Sequence, residues 1–189
     1  MDNDEALAIE KAAQRLVTYR EELVDWLQEA LEDTLFSNRT FIRPSHLKQI
    51  AVAEADAFLA FLKNEDTTTV RVQGAKRAKE GVGEQAVLRL GATLRRFCQT
   101  RLEGELLQAG LAATDVYTNT FLEGFIEARE TIILAEQERI RAALERALSR
   151  YTLQFERLTP EHLIGKSSSL GDLKVRRACL KRIQFNIYK

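Results

Sequence analysis

Side chains able to move a proton, attack a carbonyl or hold a metal near neutral pH are few in this sequence and widely scattered. It has two histidines, His46 and His162, and two cysteines, Cys98 and Cys179. Each histidine lies two residues after a proline, Pro44 or Pro160, where helices tend to start. Neither can be grouped with a serine and an acid into a nucleophilic triad, so both read as cap or surface residues rather than general bases. The cysteines show no CxxC spacing and no adjacent histidine, which leaves them as ordinary thiols with neither zinc nor a redox pair implied. Glu123, Glu127 and Glu130 line one face of a helical pattern. A carboxylate-bridged metal site in a bundle would also need Glu-x-x-His pairs, which are missing, and Arg129 beside them suits a solvated charged face. Between Leu47 and Glu161 there is no histidine, so globin-type haem ligation has no axial ligand. No catalytic residue, metal site or cofactor is expected.

The glycine pair in RAKEGVGEQAVLRL, residues 77–90, lies between two amphipathic segments. A phosphate-binding loop would require a preceding strand and a GK[ST] ending, and neither is present. Gly81 suits the left-handed residue that closes a helix, and Gly83 a turn before the next helix begins at Glu84. Gly81 and Gly83 are therefore the expected hinge.

Helical periodicity organises the rest. Ala6, Ile9, Ala13, Leu16, Val17, Leu23, Leu27, Leu31 and Leu35 imply one long or once-bent helix over about 4–35. After an interruption at 36–43, Pro44 opens a second helix to about Lys63, with Asn64-Glu65-Asp66 as a turn or cap. A third helix to Glu80 is expected despite the branched residues Thr67, Thr68, Thr69, Val70 and Val72. The fourth runs from Glu84 to near Ala109, with Gly91 and Gly104 inside it. Both read as sites of tight helix packing, with room left for a ligand as the alternative. A fifth, capped by Thr114 or Asp115, continues to about Leu158. Thr159-Pro160-Glu161 signals another start, and Gly165 to Ser169 a short break before a basic tail.

With 189 residues and 45% hydrophobic content the chain can bury one substantial core. Formal charge is zero but unevenly spread: residues 1–35 carry ten acids against Lys11, Arg15 and Arg20, whereas seven bases from Lys166 onward face Asp172 alone. The basic tail lacks a recognition-helix pattern, a zinc site and aromatic residues in number, so nucleic acid is an unlikely target. No signal core and no spanning run of apolar residues is present, which leads to an expectation of a cytoplasmic protein without a membrane partner. The fold expected is all-α: a globin-like or helical-bundle single domain, residues 1–158, with a long projecting C-terminal helix, followed by a short basic helical tail, 159–189.

Within that long helix, Ile133, Ile140, Ala147 and Gln154 repeat every seven residues, and Gln137, Leu144, Tyr151 and Leu158 form a second register four residues on. Two such registers describe a coiled-coil seam, weakened by Gln137, Ala147 and Gln154; the alternative is a helix folded back onto its own bundle. Ile133, Ile140, Leu144, Leu148 and Tyr151 are the expected homodimer interface.

Three stretches, REELVDWLQEAL, RPSHLKQIAVAEADAFLAFLKNED and RAKEGVGEQAVLRLGATLRRF, resemble the helical N-terminal sensor domain of RsbR and RsbRD type co-antagonist proteins over roughly residues 10–150. The resemblance implies a non-haem, globin-like domain of bacterial stress signalling. It also implies dimerisation and transmission through a long helix to an output module of STAS or kinase type. Here a short basic tail follows instead, so either the output module has been lost or output belongs to a separate partner. The function expected is that of a non-enzymatic signal-sensing regulatory domain. The competing expectation is a protein that binds a small apolar or tetrapyrrole-like molecule between the fourth and fifth helices.

Overall fold

A computed structural model describes residues 3–34 and 43–157, with the side chains of 3–6, 44 and 151–157 excepted. The described residues form six helices and no strand: α1 (Asn3–Val17), α2 (Arg20–Glu32), α3 (Pro44–Asn64), α4 (Thr67–Lys79), α5 (Glu84–Arg101) and α6 (Gly104–Arg157). The fold is all-α and includes a long helix. The interruption after Leu35, as far as residue 42, and everything expected beyond Arg157 lie outside the described residues. That includes the division at 158/159, the cap at Thr159, His162, Cys179 and the basic tail.

Helix ends follow local chemistry. Pro44 occupies the first turn of α3 behind an extended Arg43, the conformation that a following proline favours. Asp66 accepts hydrogen bonds from the backbone N–H groups of Thr68 (3.0 Å) and Thr69 (3.2 Å). This cap lets α4 begin in a run of three threonines. At the other end of α4, Gly81 has φ of +83°. There the Val82 N–H reaches the Arg77 carbonyl at 3.1 Å and the Gly81 N–H reaches that of Ala78 at 3.2 Å, the paired bonds of a Schellman ending.

Two boundaries differ from the sequence reading. The one long or once-bent helix expected over 4–35 is two helices: the chain leaves the helix at Thr18 and Tyr19, where the Thr18 hydroxyl donates to the Arg15 carbonyl at 2.7 Å. The second difference is at the end of α5, which stops at Arg101 rather than near Ala109. Leu102 is extended and Gly104 takes φ of +57°, a value that glycine adopts without strain. Gly104 therefore opens α6 and is no site of tight packing, since a Cβ there would meet nothing within 4 Å, and Gly110, Thr114 and Asp115 lie inside that helix. Thr114 is no cap: it donates its hydroxyl to the Gly110 carbonyl at 2.6 Å.

The chain divides into two units, Met1–Ala135 and Glu136–Lys189. The first holds α1 to α5 with the earlier part of α6, and one core formed by apolar residues from every one of those helices. Within it α4 and α6 approach backbone to backbone. A Cβ on Gly74 would lie 2.0 Å from the Phe121 carbonyl oxygen, and a Cβ on Gly124 2.0 Å from that of Arg71. At Gly91 the neighbour is instead the side chain of Thr118, 2.7 Å from such a Cβ.

Backbone cannot yield as a side-chain methyl can, so Gly74→Ala and Gly124→Ala should each cost at least about 1–3 kcal/mol through overpacking. Gly91→Ala should cost less. Urea unfolding of the three variants checks the order, and equal losses at all three sites would contradict it.

Candidate functional site

The first unit encloses a charged centre that the apolar periodicity of α3 conceals. Glu54 lies on the buried stripe with Ala51, Ala55 and Phe58, and is 3% exposed. Arg77, in the last turn of α4, is 2% exposed. Its Nε donates to Glu54 Oε1 at 2.5 Å and its Nη1 to Glu80 Oε2 at 2.5 Å. Gln73 Nε2 also donates to Glu54 Oε1, at 3.0 Å, and the Tyr117 hydroxyl donates to Glu54 Oε2 at 3.3 Å. Tyr117 belongs to α6, and its ring meets those of Phe58 at 5.3 Å and Phe61 at 5.5 Å, both from α3. Three helices therefore converge on one carboxylate.

Burial pushes the Glu54 carboxyl above its ordinary range, while Arg77, Gln73 and Tyr117 act in the opposite direction. The Tyr117 hydroxyl is raised too, first by burial and then by the Glu54 charge. Beside this centre a narrow crevice between α5 and α6 is lined by Val87, Leu90, Gly91, Thr118, Glu54 and Tyr117, with room for about one water molecule. A wider apolar recess of about 180 Å³ lies elsewhere in the unit, among Ile9, Phe61, Leu62, Ala113 and Val116.

The residues expected to form the helix seam occupy different settings. Ile133 is partly buried, whereas Ile140, Leu144 and Leu148 are 62%, 59% and 65% exposed. Tyr151 lies on α6, with its side chain outside the described set. The two hinge glycines flank Val82, and all three are buried, so this turn is packed. Gly83 has φ of −79°, which needs no glycine.

Other candidates have ordinary partners. Glu127 pairs with Arg71, which also lies 3.8 Å from Glu123. Arg129 reaches Glu84 at 2.5 Å. His46 Nδ1 lies 3.3 Å from Gln49. Cys98 is buried, its thiol raised by burial and 3.4 Å from the Thr114 hydroxyl. Among the described residues no group of acids, histidines and cysteines could hold a metal ion, and no helix is long and apolar enough to cross a membrane. Comparison with known protein families, curated proteins and solved structures returned no match.

Glu54, Arg77 and Tyr117 were not among the residues expected to matter. Their one sequence signal is a glutamate at a core position, seven residues after Leu47 and four before Phe58. That signal has a consequence for stability. Above the ordinary glutamate range and up to the raised Glu54 value, the folded protein holds a proton that the unfolded chain has released. Stability therefore falls as pH rises across that window. Denaturant titrations from pH 4 to 8 should show this slope in the wild type relative to Glu54→Gln. Parallel profiles for the two proteins would show that Glu54 titrates normally.

Proposed function

We propose that this chain is a non-enzymatic regulatory domain that works by protein association along α6. The supporting observation is the i, i+4, i+8 set Ile140, Leu144 and Leu148, each more than half exposed on one face of a helix. Three large aliphatic side chains in that arrangement are what a partner helix covers, and their burial is the ordinary source of coiled-coil affinity. The occupant proposed is the same helix of a second copy. In this reading the first unit senses a stimulus and α6 passes it to a separate output protein, as the resemblance to RsbR and RsbRD type sensor domains implies. A STAS or kinase-type partner, a non-haem globin-like identity, a bacterial stress pathway and a cytoplasmic location all belong to this proposal.

A ligand-binding role is the competing reading, and the apolar recess bounded by Ile9, Phe61 and Val116 favours it. The crevice between α5 and α6, with space for about one water, suits an apolar or tetrapyrrole-like guest far less.

Native mass spectrometry separates the two readings. The association reading expects a dimer at bare polypeptide mass, and a monomer carrying a discrete added mass would replace it with the other. Leu144→Glu combined with Leu148→Glu should convert the dimer to monomer in sedimentation runs without lowering helical circular dichroism. A dimer unaffected by both charges would remove α6 from the interface.

A further inference from the structure

The arginines of this fold set a standard of comparison. Arg20 meets Asp56 side-on, Nε to Oδ1 at 2.6 Å and Nη2 to Oδ2 at 2.8 Å. Arg71 meets Glu127 through the same two nitrogens. Arg77, far more buried than either, gives Glu54 its Nε alone. Its Nη2 is buried and has no hydrogen-bond partner. The oxygen that would complete the fork is close by: Glu54 Oε2 is engaged by the Tyr117 hydroxyl, at a separation of 3.3 Å that is long for an O–H donor. A half-closed charged fork and a weak phenol bond both draw on one oxygen atom, which as oriented meets the phenol alone.

We propose that the Glu54 carboxylate is a two-position latch, with Oε2 either holding the Tyr117 hydroxyl or closing the side-on pair with Arg77 Nη2. Reorientation of the carboxylate about its broad terminal torsion exchanges the positions, and no charge has to leave the centre. The second position gains a charge-assisted bond, which is stronger than a neutral one. It frees the Tyr117 hydroxyl, which then donates to a water-sized acceptor in the crevice lined by Gly91 and Thr118. In the first position α6 is tied to α3 through a hydrogen bond; in the second that tie is gone and aromatic packing alone holds Tyr117. Entry of a small hydrogen-bond acceptor into the crevice thus biases the hold on α6. The latch lies wholly within the first unit and does not require α6 to pair with anything.

The test is nitrogen-15 NMR of the Arg77 guanidinium in the full chain, assigned with Arg77→Lys, together with amide hydrogen exchange along residues 113–125. In Tyr117→Phe the rival for Oε2 is removed. The Arg77 Nη2 hydrogens should then exchange several-fold more slowly than in the wild type, and the unfolding midpoint should fall by no more than about 2–4 °C. Glu54→Gln should lose that protection. Guanidinium exchange identical in Tyr117→Phe and wild type would overturn the proposal, since Oε2 would then have a single position. Should Tyr117→Phe not fold, relaxation dispersion on the wild type decides: exchange at both Arg77 Nε and the Tyr117 ring supports the latch, and flat profiles at both overturn it.

Discussion

A buried guanidinium is costly unless its charge is paired and most of its N–H groups are bonded, and Arg77, with Nη2 alone left unmet, places that demand on much of the first unit. Glu54 must project inward from an otherwise apolar face of α3. Glu80 must follow directly after α4, and the Schellman turn at Gly81, built on the carbonyl of Arg77 itself, holds that end of the helix in place. Gly74, one turn earlier, lets α4 come close enough to α6 for backbone to touch backbone. Replacing such a centre by well-packed hydrocarbon is often neutral or stabilising in proteins, so cohesion alone is a poor reason for its presence. Its hydrogen bonds join side chains from three helices, α3, α4 and α6, at one carboxylate.

Within α6 one spacing recurs in two settings. Tyr117, Phe121 and Phe125 recur at i, i+4 and i+8 and are buried; Ile140, Leu144 and Leu148 recur in the same way and are exposed. The aromatic set fills the core of the first unit, where wide rings span the gap between helices. The aliphatic set has the shorter, branched shapes that interlock across paired helices. The change in residue type along a single helix coincides with the change from packing inward to facing outward.

Much of the architecture could be read from the sequence because it rests on periodicity and caps. Pro44, Asp66 and Gly81 mark helix ends by mechanisms intrinsic to a few adjacent residues, and those ends fall where expected. The errors arose where a tertiary or side-chain effect competed with local pattern. Gly110 has the composition of a terminator but lies mid-helix, close against Leu102, with its carbonyl bonded by Thr114. The helix ends before Thr18 although the apolar spacing continues across it. The charged centre was hidden for a different reason: Glu54, Arg77 and Tyr117 come from three helices, and nothing in the spacing of any one helix reports the other two. The Gly74 and Gly124 crossing shares that origin, since each glycine is ordinary until the opposing backbone is in place.

Cys98 bears on what chemistry the core of the first unit can undergo. It is the one cysteine among the described residues, enclosed by apolar side chains, with the Thr114 hydroxyl beside it. Burial favours its protonated form, which is a poor nucleophile. Peroxides and electrophiles react with thiolate at an accessible sulfur, so the core of this unit presents them with almost no chemical target. Any small molecule lodged beside Cys98 would be held by shape and hydrogen bonding, reversibly, with no bond formed to sulfur.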